Sequence, residues 1–265
     1  MYVINVFIVM SKSVEEALLE RRSRRRYTRD RISDEDMDFI YKAIRNTPTS
    51  YNGEQFSVID IDDQELKEKL YGLTNQKQIK TCNHFLVFCA DFHKIEIAAR
   101  AKGIDMGDFA ATVDGYTVGV IDASLALMSA LVAAESRGLA TCPIGYIRTV
   151  APDVVSELLG LPRGVALVCG LAIGIPAEMP DMKPKEPASL LIHHNHYRSD
   201  DMLPELLDFD KAVSEYNRTR TGTKSDNDWV GHIIGYYHEG AARDILAALR
   251  RQGFLGGQAD KPTGC

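Results

Sequence analysis

The sequence lacks the closely spaced cysteine pairs that zinc sites and redox motifs use. Its five cysteines are odd in number, scattered along the chain and mostly set in apolar runs. They are Cys82, Cys89, Cys142, Cys169 and Cys265. We therefore predict that they are reduced core residues.

Common nucleotide-binding signatures are also missing. No G-x-G-x-x-G opens a βαβ unit and no G-x-x-x-x-G-K-[ST] occurs, which disfavours a Rossmann domain and a P-loop. The tract His193-His194-Asn195-His196 resembles a metal site, but adjacent histidines of an extended segment point to opposite faces. No companion cysteine or acidic cluster is obvious, so we predict surface or interface histidines and no metal.

An excess of positive charge is absent as well. The chain has 31 Lys and Arg against 37 Asp and Glu, a formal net charge of -6. Phosphate backbones and anionic membranes repel such a molecule weakly, so we expect no nucleic-acid and no membrane partner. Met1–Met10 is apolar but short and lacks a basic leading region and a small-residue cleavage site. This argues against a signal peptide and predicts a cytoplasmic protein.

Composition and patterning predict an ordinary globular chain. Hydrophobic residues make up 45% and charged residues 26%, which is typical of soluble domains. Capping signals at Ser13 and Ser33 start two helices, and the second carries Met37, Ile40, Tyr41 and Ile44 on one face. Further helices are predicted over 65–73, 204–217, 227–238 and 241–252, strands over 55–61, 84–90 and 165–175, and an extended proline-rich segment over 176–187. We expect a core over 1–203 and a C-terminal helical extension over 204–265.

Residues 117–134 predict one helix that is apolar on nearly every side. Its length approaches that of a membrane span. A buried central helix is preferred, because Asp122 would be costly in lipid and no basic flank or second span exists. A small domain often encloses such a helix with the help of a partner subunit, so dimerisation follows as a hypothesis.

Five arginines occupy six positions over Arg21–Arg26, at the predicted end of the first helix. For most of them, a solvated helix terminus that complements the helix dipole is the preferred interpretation. A sharper one assigns Arg22 and Arg25, three apart and so on one helical face, to a bound phosphate with the Ser23 hydroxyl. A third interpretation is a patch that binds nucleic acid, which predicts that binding to DNA or RNA weakens as salt is added.

Residues 48–55 lie between a predicted helix and a predicted strand. A turn around Asn52-Gly53 explains the asparagine and the glycine. It does not explain Thr49, Ser50 and Gln55, whose short donors and acceptors suit the orientation of a heterocycle and a polyol chain.

The stretch after the long apolar helix, residues 138–148, has features that suit a flat ligand. Gly138 is predicted to end that helix, and a short strand is predicted over 139–148. Within it, Gly145 would let a main-chain N–H approach a planar ligand closely, and Arg148 could add a charge.

Lys183 and Lys185 flank Pro184 in the proline-rich segment. Pro184 moves Lys183 away from helical angles, and residues two apart in an extended segment point the same way. The two ammonium groups should therefore converge, although surface lysines are usually only solvated. The pattern makes an anion site plausible.

Taken in order, these stretches resemble the nitroreductase family, in particular its oxygen-insensitive NADPH nitroreductases and NAD(P)H:flavin reductases. The likeness covers 17–198 continuously. It rests on R-R-S-x-R at 21–25, T-S-x-N-G-x-Q at 49–55, V-F-C-A-D-F at 87–92, A-A-E-S-x-G-L at 133–139 and P-D-x-K-P-K at 180–185. The resemblance implies an α+β fold: a mainly antiparallel sheet flanked by helices, in an interlocked homodimer with FMN at the interface.

The resemblance also implies roles for individual residues. The cofactor phosphate would be held by Arg22, Ser23, Arg25, Lys183 and Lys185, and the flavin or its ribityl chain would meet Ser50, Asn52, Gln55 and Gln76. Ile144 and Gly145 would lie over the ring, with a main-chain N–H near N5. Arg220, in a basic loop with Lys224, looks like the position that meets the 2′-phosphate of NADPH.

Three departures from the family pattern stand out. Arg21 stands where the family often has a histidine, and Lys185 stands where an arginine is common. Tyr146 replaces the second glycine of the family's usual Ile-Gly-Gly. A lysine keeps the charge but loses bidentate geometry. Tyr146 is expected to narrow the acceptor pocket or to stack on a substrate.

The implied activity is FMN-dependent oxidation of NADPH or NADH with reduction of nitroaromatics, quinones or free flavin in a ping-pong cycle. The flavin carries the chemistry, so no catalytic side chain is predicted. Reductive dehalogenation or flavin-ring destruction is a rival within enzymes. A flavin-binding storage or regulatory protein with little turnover is the alternative from another class.

Overall fold

The computed structural model describes residues 11–256, so the predictions for Met1–Met10 and for Cys265 fall outside the described residues. The described chain forms two compact units. One comprises residues 11–178 and 244–256, and the other comprises residues 179–243. The boundary expected between residues 203 and 204 stays a prediction.

The segments expected from periodicity and capping are present, with ends that differ by a few residues. The strands are β1 (Phe56–Ile61), β2 (His84–Asp91), β3 (Ala140–Ile144) and β4 (Val165–Gly174). In the first unit the helices are α1 (Val14–Leu19), α2 (Asp34–Arg45), α3 (Gln64–Thr74), α4 (Lys77–Thr81), α5 (His93–Ala101), α6 (Val113–Ser136), α7 (Pro152–Leu158) and α11 (Ile245–Arg251). The second unit contains α8 (Ala188–Leu191), α9 (Leu203–Thr219) and α10 (Trp229–Ala241).

The strands form an antiparallel sheet in the order β1-β2-β4-β3, which places β2 and β4 inside. Both inner strands are almost entirely buried, as their near-continuous apolar sequences predict. Successive side chains enter different layers: Leu86 and Phe88 belong to the apolar cluster of α2 and α6, and Phe85 and Val87 to that of α3, α4 and α7. Helices thus cover both faces of the sheet, and the predicted α+β fold is confirmed.

Helix α6 is the long apolar helix expected from the sequence. Among the described helices it alone has the length and composition to cross a membrane, and half of its most apolar window is buried inside the protein. Gly119 lets it approach β2, since a Cβ there would lie 2.7 Å from the Cβ of Ala90. Its acidic residues Asp122 and Glu135 are fully buried and hydrogen-bonded to protein groups. These contacts identify α6 as a core helix.

Helix α2 departs from its predicted apolar face at one position. Met37, Ile40 and Ile44 are buried, but Tyr41, predicted on the same face, is 42% exposed. Its hydroxyl donates a hydrogen bond to Asp60 of β1, a half-buried carboxylate at the edge of the sheet. The hydrogen bond to Asp60 therefore holds the phenol partly exposed and outside the core.

The described cysteines are free thiols in or near the core, as predicted: Cys82, Cys89, Cys142 and Cys169. Burial raises the pKa of Cys82 and of Cys89 to about 12, from 9.0. At pH 8 their reactive thiolate fraction is then about a thousandfold smaller than that of an exposed cysteine.

We therefore expect Cys82 and Cys89 of a Cys265→Ser variant to react with a chromogenic disulfide reagent at pH 8 no faster than the protein unfolds. In concentrated denaturant, where burial is removed, the four remaining thiols should react at once. Rapid labelling of Cys82 or Cys89 in the native protein, located by peptide mass spectrometry, would contradict their placement in the core.

Candidate functional site

The arginine-rich segment, residues 21–26, is extended and not helical. Helix α1 ends at Leu19, so the expectation that Arg22 and Arg25 share a helical face is wrong. The reason lies in Arg24, which is 2% exposed and forms a buried ion pair with Glu135 of α6. Its main-chain N–H also donates to the carbonyl of Thr141, at 3.0 Å. The chain leaves the helix to make these contacts.

The ion pair belongs to a small polar network inside the core. The hydroxyl of Thr141, at the start of β3, donates to the second carboxylate oxygen of Glu135 at 2.7 Å. Tyr27 donates to the carbonyl of Arg24 at 2.9 Å and packs over Gly174, where a Cβ would lie 2.5 Å from its ring. The segment is thus anchored to α6, β3 and β4. The sequence shows a charged Glu135 in an apolar helix, but nothing that identifies Arg24 as its partner.

Neighbours of Arg24 remain closer to solvent. The guanidinium of Arg25 is exposed, while its main-chain N–H donates to Glu178 at 2.6 Å. Arg22 and Ser23 are half-buried, and Arg22 donates to the carbonyl of Glu20 at 3.1 Å. The segment therefore holds a hydroxyl and cationic side chains on an anchored main chain, which suits an anionic ligand.

The loop over residues 49–55, which we call the 49–55 loop, connects α2 to β1. Tyr51, Asn52 and Glu54 have φ angles of 58°, 53° and 50°, a conformation that L-residues adopt at a cost. Gly53 itself has φ −89°, so it does not supply the left-handed turn. It supplies space instead, because a Cβ there would lie 2.4 Å from Nε2 of Gln55.

The side chain of Gln55 carries a polar atom that lacks a partner. Gln55 is 7% exposed, and its Oε1 is buried without a hydrogen-bond partner among the described residues. Leaving a buried acceptor unsatisfied costs about 1–3 kcal/mol. A ligand that presents an N–H or hydroxyl donor beside the loop would remove that cost, and both the isoalloxazine ring and the ribityl chain of FMN carry such donors. The observation fits a flavin.

Gln76, the other predicted contact of the flavin, lies elsewhere in the first unit. It is the N-cap residue of α4 and follows Asn75, whose φ is 54°. Its Oε1 accepts a hydrogen bond from Gln78 at 2.9 Å. The side chain is half-buried and held by its own helix.

The end of β3 places Ile144, Gly145 and Tyr146 in sequence. The strand stops at Ile144, earlier than predicted, because residues 145–148 turn into a short 3-10 helix. A Cβ at Gly145 would lie 2.8 Å from Nη1 of Arg148, which donates to the carbonyl of Gly145 at 3.3 Å. Tyr146 is half-buried and packs against the cluster that contains Ile144. Arg148 is thus tied to the main chain of this turn.

The second unit contains a cavity of about 520 Å³, which we call the basic cavity. Its polar and aromatic lining includes Lys183, Lys185, Tyr216, Arg220, Trp229 and His232. Both lysines line it, and the convergence of their ammonium groups stays a prediction. Trp229 packs edge-on against Phe209, with ring centroids 5.1 Å apart. Lys224 is exposed in the loop after Arg220 and does not line the cavity.

Arg220 carries another buried polar atom without a partner. Its Nε is buried and has no hydrogen-bond partner in the part of the chain that the structure describes. The loop that follows is held in place: the side-chain amide of Asn217 donates to Asn227 at 2.8 Å, and Thr221 donates to Asp181 at 2.6 Å through its main-chain N–H. A fixed cationic side chain beside aromatic rings suits a phosphorylated aromatic ligand.

The contacts of the histidine tract do not indicate a metal site. His193 contacts the ring of Tyr197 at 4.5 Å between centroids, and its Nδ1 accepts from the main chain of Arg198 at 3.3 Å. Across residues 11–256 no group of three or more His, Cys, Asp or Glu is arranged to hold a metal ion. That the protein uses no metal stays a prediction.

Comparison with known families agrees with this arrangement. Residues 18–175 match the Nitroreductase family, and residues 183–256 match the Nitroreductase family, C-terminal domain. The chain belongs to the nitroreductase family. The resemblance seen in the five sequence motifs is confirmed.

Individual members of the nitroreductase family match over nearly their whole length. The FMN reductase [NAD(P)H] of Bacillus subtilis is 36% identical over 247 residues, covering 91% of this chain and 97% of the relative. The oxygen-insensitive NADPH nitroreductase of Salmonella typhimurium is 35% identical, covering 92% and 99%. The NfrA1 nitroreductase from B. subtilis has a similar structure, with a TM-score of 0.87 at 32% identity, covering 92% of this chain and 99% of that one. The nitroreductase fold is thereby established.

Proposed function

We propose that this nitroreductase-family chain is an FMN-dependent NAD(P)H oxidoreductase that reduces small acceptors such as nitroaromatics, quinones or free flavin. Relatives at 36% and 35% identity are named FMN reductase and NADPH nitroreductase. The observation that carries the proposal is the buried, unpartnered Oε1 of Gln55 beside the 49–55 loop. A hydrogen-bond donor of the cofactor would satisfy this acceptor.

Cofactor contacts are proposed in three groups. As the family resemblance implies, the phosphate would be bound by Arg22, Ser23 and Arg25 of the arginine-rich segment and by Lys183 and Lys185. Ser50, Asn52, Gln55 and Gln76 would contact the flavin or ribityl chain, and Ile144 and Gly145 would face the ring. The anchored main chain of the arginine-rich segment and the unsatisfied Gln55 support the first two groups.

When bound, FMN supplies the capacity to accept a hydride from the nicotinamide and to pass electrons to an acceptor. The chain provides binding and orientation for this chemistry. Gly145 has no side chain, so its main chain would come close to a flat ligand. Cationic groups stabilise negative charge near the site. Water or the hydroxyl of Tyr146 would supply protons. We assign no catalytic side chain, because the flavin carries the redox chemistry.

The experiment that tests enzyme against storage protein is anaerobic stopped-flow mixing of the FMN-loaded protein with NADPH. We expect rapid loss of flavin absorbance, followed by its return when a quinone is added in a second mix. Parallel lines in double-reciprocal plots would support the ping-pong order. A storage or regulatory protein would stay oxidised on the time scale of turnover, and that result would favour the alternative.

The basic cavity is proposed to bind the phosphorylated adenosine end of NADPH. Arg220 lines it with an unpartnered Nε, and Trp229 and His232 offer aromatic faces. Lys224 in the adjoining loop would add positive charge near the opening. Lys183 and Lys185 line the same cavity, so their charge would act on NADPH as well as on FMN.

Replacing Arg220 with alanine is expected to raise the KM for NADPH about 10–100-fold, because one charge-assisted contact to the 2′-phosphate is lost. The KM for NADH, which lacks that phosphate, should change less than about threefold. The matched control is Arg218→Ala, which removes an exposed arginine on α9 that pairs with Glu215 at 3.2 Å. An equal loss with both nucleotides would exclude a 2′-phosphate contact.

We also propose a homodimer, because α6 carries an apolar stripe that the described chain leaves open. Ile121, Leu125 and Met128, spaced four and three residues apart, are 47%, 42% and 40% exposed. A second copy of the chain would cover them, with residues 204–265 contributing to the dimer and to the nucleotide site. Sedimentation equilibrium should give twice the chain mass of 29.5 kDa. A monomer at micromolar concentration would contradict this proposal.

The cytoplasm is the proposed compartment.

A further inference from the structure

Asp122 lies in the middle of α6 and is completely buried. One of its carboxylate oxygens accepts the main-chain N–H of Ser50 at 2.9 Å. The other oxygen accepts the main-chain N–H of Gln55 at 3.3 Å. The two amides belong to opposite ends of the 49–55 loop, so a single side chain joins both ends of the loop to the core helix.

The loop needs such an attachment because its conformation is costly. The left-handed φ angles of Tyr51, Asn52 and Glu54 cost on the order of 1 kcal/mol each for residues other than glycine. The hydrogen bonds within the loop and its contacts with the rest of the chain offset this cost. Gln55 is further fixed because its carbonyl accepts the main-chain N–H of Asp91 at 3.0 Å.

The chemistry of a carboxylate is specific for this arrangement. Two N–H donors converge on the side chain, and a carboxylate offers an acceptor oxygen to each. Asparagine has the same shape but one acceptor and one donor group. An asparagine at position 122 would therefore place its NH₂ against one of the two amides. The loop would lose one attachment and gain a repulsive contact.

We propose that Asp122 is a positioning residue for cofactor binding, a statement that rests on the proposed FMN function. Asp122 acts through the loop: it sets the main chain from Ser50 to Gln55, and this fixes the direction in which the unpartnered Oε1 of Gln55 points. A site preorganised in this way binds its ligand without first ordering the loop.

The direct test is the FMN affinity of Asp122→Asn, measured as quenching of FMN fluorescence on titration with apoprotein. We expect the dissociation constant to rise about 10–100-fold, the effect of one lost and one repulsive hydrogen bond. The matched control is Asp91→Asn. Asp91 is also buried, and its side chain accepts the main-chain N–H of His93 at 2.9 Å and the hydroxyl of Ser57, so it bonds α5 and β1 and not the loop. The main-chain N–H of Asp91, which donates to the carbonyl of Gln55, is unchanged in Asp91→Asn. The control should keep its FMN affinity within about twofold.

Thermal unfolding of the two apoproteins separates positioning from general stability. Both variants should lose stability, and only Asp122→Asn should lose FMN affinity. A loss of affinity in both variants in proportion to stability, or an unchanged affinity in Asp122→Asn, would overturn the proposal. Failure of the unsubstituted protein to bind FMN would instead overturn the proposed function.

A second measurement on the unsubstituted apoprotein does not depend on the folding of a variant. Hydrogen exchange should be slow at the amides of Ser50 and Gln55, because Asp122 holds both. Exchange at these two amides as fast as in an unstructured peptide would show that the attachment is absent and would overturn the proposal.

Discussion

Replacing Arg25 and Lys185 together with alanine is expected to raise the dissociation constant of FMN by about 100–10,000-fold, because two charge-assisted contacts to one phosphate are removed. The guanidinium of Arg25 is exposed and Lys185 lines the basic cavity, so neither side chain is needed for the core. The unfolding temperature of the apoprotein should therefore change little. Isothermal titration of the apoprotein with FMN measures the effect.

Arg26→Ala is the matched control for the loss of positive charge. Arg26 is adjacent to Arg25, its side chain is 81% exposed, and it lies 3.6 Å from Glu178. Its removal should leave the FMN affinity within about twofold, because exposed ion pairs contribute little. Unchanged FMN retention in the Arg25 and Lys185 double variant would remove both residues from the phosphate site.

The second large effect is expected from the buried ion pair between Arg24 and Glu135. Glu135→Gln leaves the guanidinium of Arg24 in the core without a countercharge, which costs about 3–5 kcal/mol. For a chain of this size the unfolding temperature should fall by about 6–20 °C. Differential scanning calorimetry of the apoprotein checks this, and urea unfolding gives the free energy directly.

Two further variants show whether burial is the cause. The double variant Arg24→Met with Glu135→Leu removes both charges and should recover most of the lost stability, since an apolar pair can replace a buried ion pair. Glu65→Gln breaks an exposed pair with Lys69, 2.6 Å apart on α3, and should change the stability little. A loss in Glu135→Gln no larger than in Glu65→Gln would contradict the buried network.

Local signals explain most of what the sequence predicted about the fold. The caps at Ser13 and Ser33 are confirmed because each side chain bonds an amide three residues away. The inner strand β2 follows from an unbroken apolar run, and α6 from a long apolar stretch with helix-compatible residues. These features need no knowledge of distant parts of the chain.

The wrong predictions depend on contacts between distant residues. The arginine-rich segment has the composition of a helix end, but Arg24 pairs with Glu135, 111 residues later, and this draws the chain out of the helix. Tyr41 has the spacing of a core residue, but Asp60 on another element draws its hydroxyl outward. The spacing of apolar residues describes the helix or strand to which a residue belongs, and not the distant residue that it contacts. Neither contact was therefore predictable from the sequence.

The candidate site shows the same division. Residue types and spacing were enough to single out the 49–55 loop, the arginine-rich segment and the paired lysines. The turn around Asn52-Gly53 was predictable, but the space that Gly53 leaves for the side chain of Gln55 was not. In the sequence, Asp122 stands out only as a charge that would be costly in a membrane. Its role in the loop was not predictable, because the amides that it binds lie 72 and 67 residues earlier in the chain.

The absorption spectrum of the purified protein, reconstituted with FMN and freed of unbound cofactor, tests the central claim most directly. A flavin held by these residues should give bands between about 350 and 500 nm with one FMN per subunit, and anaerobic NADPH should bleach the long-wavelength band. A colourless protein that cannot be reconstituted with FMN would contradict the account of this chain as an FMN-dependent oxidoreductase.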